Sequence, residues 1–156
     1  GALLVLAGEG AEEARLRSLA PPGTVFLGYC DDGPGFLASL DVLAMPSRWE
    51  GYGLVLAQAL AMGVPVVCSS VDSLPEVAGG AARLVPPERP DLLAGALEEV
   101  LDSLEMRDAL RLRGRARARE LDVRTFVDGH LALYEELCGQ PVTRRGCAAP
   151  GSTWTS

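Results

Sequence analysis

The sequence predicts an α/β fold in which an open parallel sheet carries helices on both faces. Short apolar runs without polar alternation recur along the chain, which is typical of strands buried on both faces. Segments with helical periodicity separate these runs, which indicates βαβ units. Hydrophobic residues make up 48% and charged residues 22% of the 156 residues. That composition and length are typical of one globular domain.

The first third of the chain is predicted to contain two strands and the first helices. The run 2–7 is apolar at every position, so we interpret it as a strand covered on both faces. Residues 12–20 have apolar members at helical spacing, and Pro21-Pro22-Gly23 ends this helix. A second strand follows at 25–27. Pro34 then lies in turn residues where a second helix is expected to begin.

The middle of the chain continues the same alternation. The third strand is predicted at 41–45, where Pro46 stops it. The segment 54–62 is an almost wholly apolar helix, so we expect it to be buried. Gly63 ends that helix, and the fourth strand is predicted at 65–68.

The last part of the chain is predicted to be mainly helical. Arginine occupies every second position from Arg111 to Arg119, which spreads the charges around a helix, so we expect a solvated surface there. We predict that residues 1–138 form one domain and that 139–156 form a loosely ordered tail. The remaining elements are a helical turn at 74–78, a strand at 82–85, and helices at 91–104, 105–120 and 124–138.

The charge balance disfavours two classes of partner. The chain contains 14 basic residues, all of them arginine, and 21 acidic residues, which gives a net charge of −7. Nucleic-acid binding depends on neutralising phosphates, and docking onto a membrane depends on attraction to anionic lipids. We therefore predict no nucleic-acid partner and no membrane contact from this segment. No apolar run reaches the roughly 20 residues of a membrane span, and no basic signal region opens the chain, so we expect a cytoplasmic protein.

The cysteine pattern argues against a structural metal. The four cysteines form no C-x-x-C pair, and His130 is the single histidine, whereas zinc sites need clustered ligands. We expect the cysteines to be buried and reduced. The pair Asp31-Asp32 is the candidate metal ligand, but the pattern favours a solvated turn. We therefore predict that the chain needs no metal and no cofactor.

The candidate ligand site lies in the loops at the carboxyl ends of the predicted strands, where open α/β sheets bind their ligands. These loops are 8–10, 28–33 and 46–53. The first begins Gly8-Glu9-Gly10, but Glu13 stands where a dinucleotide fingerprint needs its third glycine, so a nicotinamide cofactor is not expected.

The third loop is the most informative. It reads Pro46-Ser47-Arg48-Trp49-Glu50-Gly51-Tyr52-Gly53, and a helix follows at once. Gly51 and Gly53 let the backbone approach a ligand closely, and the helix directs its amide groups and positive end at the loop. This pattern suits a diphosphate, with Glu50 placed to accept hydrogen bonds from sugar hydroxyls and Gln58 to reach a ribose. The alternative is that the glycines merely relieve crowding at a tight turn.

Five segments of the sequence together resemble one known family. They are "LLVLAGEG", "VFLGYCDD", "LASLDVLAMPS", "PSRWEGYGLVLAQALAMGVPVV" and "LPEVAGGAARLVPP". Their order and spacing are similar to those of retaining GT-B glycosyltransferases of the family-4, or group 1, type. The resemblance covers roughly residues 3 to 137. It implies the C-terminal, donor-binding half of a GT-B fold that lacks its first βα unit.

The resemblance also implies roles for individual residues. Glu50 matches the first glutamate of the family's Glu–seven residues–Glu motif, which contacts the donor sugar, and it is the candidate catalytic residue. Gln58 occupies the place of the second glutamate, which holds the ribose. Arg48 and Glu76 are further candidates without a definite role. The remaining donor-binding candidates are Gly51, Tyr52, Gly53 and Leu54 at the distal phosphate and sugar, and Gly28 and Tyr29 near the base.

Two departures from the family pattern affect the functional prediction. Gln58 replaces a carboxylate, which we expect to weaken ribose binding without abolishing it. The family's basic pair against the diphosphate, an arginine and a lysine, has no counterpart here, and the acceptor-binding N-terminal domain is missing too. We therefore expect these 156 residues alone to lack useful transferase activity.

The resemblance implies transfer of a sugar from a nucleotide-diphosphate sugar to an acceptor with retained anomeric configuration. Three alternatives remain at this point. They are a non-catalytic nucleotide-binding module, a nucleotide-sugar epimerase of the same architecture, and a purely structural α/β domain. The base, the sugar and the acceptor are not determined by the sequence.

Overall fold

The structure is a computed structural model that describes residues 1–139. These residues fall into two compact units, Gly1–Arg119 and a second unit that begins at Glu120. All candidate site residues lie in the first unit. The predicted tail lies outside the described residues from Gln140 onward. Within residues 1–139, no helix combines the length and the apolar character that a membrane crossing requires.

The first unit alternates strands and helices as the sequence predicts. Most boundaries lie within two residues of the predicted ones, and the helix predicted at 54–62 is confirmed at both ends. The strands are β1 Val5–Ala7, β2 Val25–Gly28, β3 Leu43–Met45, β4 Val66–Ser69 and β5 Arg83–Val85. The helices are α1 Glu13–Leu19, α2 Gly33–Ala38, α3 Leu54–Met62, α4 Leu74–Ala78, α5 Pro90–Asp102 and α6 Leu104–Glu120.

All strand pairs are parallel, which confirms the α/β class, but the strands form two sheets where one was expected. β1 pairs with β2, and a separate sheet has the order β3-β4-β5. Consecutive strands β2 and β3 do not pair. This is the pattern of strands 2 to 6 in the doubly wound order 3-2-1-4-5-6, where strand 1 separates strand 2 from strand 4.

The core is centred on the three-stranded sheet. β4 is buried at every position, because α3 and α5 both pack against it. A cluster between β4, β5 and the helices α5 and α6 contains Val67, Val85, Ala96, Val100 and Leu110. Leu56, Leu60 and Leu74 are fully buried at α3 and α4. This core fixes the carboxyl ends of β3, β4 and β5, where the candidate site lies.

Two expectations about burial are wrong. The strand in the run 2–7 is not covered on both faces: it begins only at Val5, and its residues are at most half-buried. Leu3 and Leu4 before it are exposed, and α1 beside it buries no residue. α3 is buried on one side only, since Leu54, Val55 and Met62 are exposed, among other residues. Apolar composition alone does not show which side of an element finds a packing partner.

The arginines of α6 do more than solvate a surface, which corrects the sequence interpretation. The guanidinium of Arg117 is half-buried and donates to the carbonyl oxygens of Val77 at 3.1 Å and Glu76 at 2.8 Å. Arg113 donates to the carbonyl oxygen of Gly80 at 3.4 Å. Carbonyls in the last turn of a helix lack intrahelical partners, so Arg117 caps the end of α4, while Arg113 contacts the turn that follows it.

The second unit contains one helix among its described residues, α7 Val123–Cys138. The side chain of Asp122 caps it by accepting a hydrogen bond from the Arg124 amide at 2.7 Å. His130 is exposed and its Nδ1 lies 2.8 Å from the carbonyl oxygen of Phe126. That bond within the helix agrees with a structural or exposed histidine.

The expectation of buried cysteines is correct for one of the three described residues. Cys68 in β4 is buried, Cys30 is half-buried, and Cys138 is exposed, which contradicts the expectation. Cys147 lies outside the described residues. The three described cysteines are free thiols.

Burial raises the pKa of the Cys68 thiol from 9.0 to about 11, because the charged thiolate is desolvated in the core. The thiolate is the reactive form. At pH 8 we therefore expect iodoacetamide to alkylate Cys138 in the native protein and Cys68 only after unfolding in urea, as read by mass spectrometry of peptides. Because the pKa of Cys68 is higher in the folded than in the unfolded protein, we also expect the free energy of unfolding to decrease as the pH rises from about 9 towards 11. Equal alkylation of both thiols in the native state would contradict this account.

Candidate functional site

The first two predicted ligand loops lie side by side. β1 and β2 pair from Val5 with Val25 to Ala7 with Gly28, with a one-residue register shift between Leu6 and Ala7, and both strands end at the same edge. The Gly8 amide donates to the carbonyl oxygen of Gly28 at 2.7 Å. The Glu9 carboxylate accepts from the Tyr29 amide at 3.3 Å. Glu9 therefore connects the Gly8-Glu9-Gly10 turn to the Gly28–Tyr29 segment.

Gly28 and Tyr29 lie at the accessible carboxyl end of β2. Gly28 has a φ of +68°, and a Cβ placed on it would lie 3.4 Å from Oε1 of Glu9. The Tyr29 side chain is 73% exposed. An aromatic ring at the carboxyl end of a strand and open to solvent can stack on a planar ligand group.

The loop from Pro46 to Gly53 follows β3 at the carboxyl edge of the three-stranded sheet. Glu50 is half-buried, whereas Gly51 and Tyr52 are exposed. The backbone amide of Glu50 donates to Oδ2 of Asp72 at 2.8 Å. Asp72 belongs to the loop between β4 and α4, so two neighbouring loops are tied together at Glu50. Sequence reasoning did not identify Asp72.

Gly53 connects this loop to α3. It is the N-cap residue of α3, is buried, and has a φ of +84°, a conformation that L side chains rarely adopt. A Cβ at this position would lie 2.6 Å from Cδ2 of the fully buried Leu74. Glycine has no side chain that could cap the helix, so the first amides of α3 are left for another acceptor. Leu54 and Val55, which carry two of these amides, are exposed.

The remaining predicted site residues are Gln58, Arg48 and Glu76, and each makes different contacts. Gln58 is exposed on α3, four residues after Leu54. The Arg48 guanidinium pairs with the Glu88 carboxylate at 3.2 Å on the surface. The Glu76 side chain is exposed, and its backbone carbonyl oxygen accepts a hydrogen bond from Arg117 at 2.8 Å.

A cavity of about 310 Å³ lies beside the candidate loop at the same sheet edge. Its charged side chains are already paired: Arg48 with Glu88, and Arg89 with Asp91 through two hydrogen bonds. The second pair holds the pKa of Asp91 below its usual value, mainly through the hydrogen bond from Arg89. Of the predicted site residues, only Arg48 lines this cavity. The loop Glu50–Gly53 is instead an open surface.

The described residues contain no cluster of three or more histidine, cysteine, aspartate or glutamate side chains suited to a metal ion. Asp32 has a local role: it is the N-cap of α2 and accepts a hydrogen bond from the Gly35 amide at 2.8 Å. Such a cap satisfies an amide that the helix leaves unpaired. The turn interpretation of Asp31-Asp32 therefore has a structural explanation.

The fold and the edge loops define a parallel α/β protein with its candidate ligand site at the carboxyl ends of the strands. The family model described as glycosyl transferases, group 1, matches residues 1–103. The chain belongs to this family of group 1 glycosyltransferases. It also matches solved GT-B glycosyltransferase structures over most of its length.

Individual relatives support the assignment. The chain is 36% identical over 142 residues to O-antigen chain mannosyltransferase B of Escherichia coli, covering 86% of this chain and 37% of that protein. Sucrose-phosphate synthase of Thermosynechococcus elongatus is 28% identical, with a TM-score of 0.75 over 88% of this chain and 38% of the other. HepE of Anabaena, solved in complex with UDP, has a TM-score of 0.74 at 23% identity over 86% of this chain and 40% of the other. The chain thus spans well under half the length of these relatives.

Proposed function

We propose that this chain is the donor-binding domain of a retaining glycosyltransferase that transfers a hexose from a nucleotide-diphosphate sugar to an acceptor. The observation that carries the proposal is the loop Glu50–Gly53, which leaves an uncapped helix N-terminus at the carboxyl end of β3. The family membership supports sugar transfer. The relatives that act as mannosyltransferases and the UDP complex of HepE support a nucleotide sugar as the donor.

The chemistry offered by this loop is stabilisation of a departing diphosphate. The aligned peptides of a helix place about half a positive charge at its N-terminus, and the first amides point outward. Charge that develops on the leaving diphosphate would be stabilised there without a basic side chain. The glycines permit close approach of the backbone, and Gly51, Tyr52, Gly53 and Leu54 would surround the distal phosphate.

Glu50 is proposed to hold the sugar. Its carboxylate can accept hydrogen bonds from two hydroxyls, which fixes the orientation of the anomeric carbon over the diphosphate. A double displacement would require a carboxylate nucleophile at the anomeric carbon. We assign Glu50 to the hydroxyls instead, so retention would follow from front-face transfer, in which the leaving phosphate assists the acceptor.

With the diphosphate at the N-terminus of α3 and the sugar at Glu50, the other predicted residues would contact the rest of the donor. Gly28 and Tyr29 would lie near the base, and Gln58 would face the ribose. We propose that residues 1–138 form the nucleotide-sugar-binding domain, that a second Rossmann-like domain supplies the acceptor site, and that the 156 residues alone are inactive. Metal and cofactor are not required in this mechanism, and the proposed location is the cytoplasm.

A ligand screen tests the proposal. Binding to the native state raises the melting temperature by mass action. We expect the complete protein that carries this chain to be stabilised by at least one of UDP, GDP, ADP and dTDP, and to transfer the sugar of the corresponding nucleotide sugar. Absence of a shift with all four would overturn the proposal. Nucleotide binding without glycosylated product or sugar release would favour a non-catalytic module, which the glutamine at position 58 makes the second candidate.

The variant Gln58→Glu tests the proposed ribose contact. A carboxylate forms charge-assisted hydrogen bonds to both ribose hydroxyls, and because position 58 is exposed and water screens the charge, the two bonds together gain about 1 kcal/mol over neutral ones. We therefore expect the variant to bind the nucleoside diphosphate about fivefold to tenfold more tightly, as measured by calorimetric titration of the complete protein. Unchanged affinity would contradict a ribose contact at this position.

A further inference from the structure

The donor loop, Glu50–Gly53, is contacted at two points by the segment that connects β4 to α4. Asp72 accepts the hydrogen bond from the Glu50 amide at 2.8 Å, although 22 residues separate them in sequence. Two residues after Asp72, the fully buried Leu74 closes against Gly53, so closely that a Cβ there would lie 2.6 Å from its Cδ2. The segment from Glu50 to Gly53 is thus held at one end by the loop between β4 and α4 and at the other end by the first residue of α4.

Asp72 has a backbone conformation that is unusual for a residue with a side chain. Among residues 1–139, only Asp72 and Glu88 have a positive φ without being glycine, and the φ of Asp72 is +44°. An L side chain in this conformation costs energy that glycine would avoid. A non-glycine residue with a positive φ beside a candidate binding loop directs attention to what its side chain contacts. The contact with the Glu50 amide is the side-chain hydrogen bond that the structure gives Asp72.

We propose that Asp72 is a positioning residue for the donor loop. This inference rests on the proposed function. By accepting the hydrogen bond of the Glu50 amide, the carboxylate fixes the peptide between Trp49 and Glu50, and with it the direction of the Glu50 side chain and of the amides that follow. The loop is then preorganised for the sugar and the distal phosphate, so ligand binding does not have to order it.

The proposal predicts different effects on the binding of two ligands, a sugar nucleotide and the matching nucleoside monophosphate. A nucleoside monophosphate lacks the distal phosphate and the sugar, so it does not reach the part of the loop that Asp72 holds. Loss of the Asp72 carboxylate should therefore weaken binding of a sugar nucleotide and leave binding of the matching monophosphate unchanged. A defect of the fold would weaken both.

The decisive variant is Asp72→Gly in the complete protein. It removes the carboxylate and also relieves the positive φ, so we expect an unchanged or higher melting temperature. We expect the Kd for the sugar nucleotide to rise about tenfold and kcat/KM to fall by at least that factor, with the monophosphate Kd unchanged. The probes are UDP-glucose with UMP and GDP-mannose with GMP, using the pair that the wild-type protein binds.

Two further variants complete the experiment. Asp72→Asn keeps an oxygen acceptor, and we expect it to bind the sugar nucleotide within about threefold of wild type. Asp122→Ala is the matched control, because Asp122 also accepts a backbone amide, that of Arg124 at 2.7 Å, in the second unit. It should lower the melting temperature and leave both Kd values unchanged.

The outcomes are distinguishable. Wild-type affinity of Asp72→Gly for the sugar nucleotide overturns the positioning role, as does an asparagine variant as weak as the glycine variant. An equal loss of monophosphate binding in Asp72→Gly also overturns it. Failure of the wild-type protein to bind any of UDP, GDP, ADP and dTDP in the ligand screen overturns the proposed function, and this inference with it.

Discussion

Replacement of Glu50 by glutamine is expected to lower kcat/KM of the complete protein for its sugar nucleotide by about 100-fold. A hydrogen bond to a charged acceptor contributes about 1.5–3 kcal/mol, against about 0.5–1.5 kcal/mol for a neutral one. Loss of charge from two such bonds costs about 2–3 kcal/mol, which corresponds to this factor. Because the contacts also orient the anomeric carbon, we expect the loss to appear in kcat as well as in KM.

Steady-state kinetics with purified protein measure this effect, and Glu98→Gln is the control. Glu98 is an exposed carboxylate on α5, away from the candidate loops in sequence, and its replacement makes the same change of charge. We expect Glu98→Gln to keep wild-type kcat/KM. A Glu50→Gln protein within threefold of wild type would remove Glu50 from the sugar site.

The second large effect is expected for Gly53→Ala. The added Cβ would meet Cδ2 of Leu74 at 2.6 Å, and alanine would have to adopt a φ of +84°. The left-handed backbone costs about 1–2 kcal/mol and overpacking of the buried leucine about 1–3 kcal/mol. We therefore expect the free energy of unfolding, measured by urea denaturation, to fall by about 2–5 kcal/mol.

Gly51→Ala provides the comparison for stability. Gly51 lies two residues earlier in the same loop, a Cβ there meets nothing within 4 Å, and its φ is outside the positive range. We expect its stability to match wild type within about 0.5 kcal/mol. Equal destabilisation by the two substitutions would show that the packing of Leu74 against Gly53 does not govern this loop.

The architecture of the chain could be predicted largely from local patterns. The run Pro65-Val66-Val67-Cys68 has no alternation, and the corresponding strand β4 is buried at every position. Gly63 ends α3 with a φ of +70° as its C-cap, as expected for a glycine after an apolar helix. Such signals succeed because backbone preference and periodicity depend on residues close together in sequence.

The candidate site could be predicted in part. The loop Pro46–Gly53 lies at the carboxyl end of β3, and Gly53 starts α3 in the conformation that a strained turn requires. The roles of Glu50, Gln58 and the other predicted contacts stay predictions. The contacts of Glu9 and Asp72 were not predicted, because each is made to a backbone amide about 20 residues away, at Tyr29 and Glu50. A lone acidic residue in a loop carries no local sign of such a partner.

The sequence by itself determined which residues are strand, helix and turn, and it identified the family through five ordered segments. Only the tertiary structure decided that β2 and β3 do not pair, that Arg117 caps the end of α4, and that Asp72 holds the Glu50 amide. The physical reason is the range of the interactions. Periodicity and turn chemistry act over a few residues, whereas these contacts join segments whose distance depends on the order of the strands.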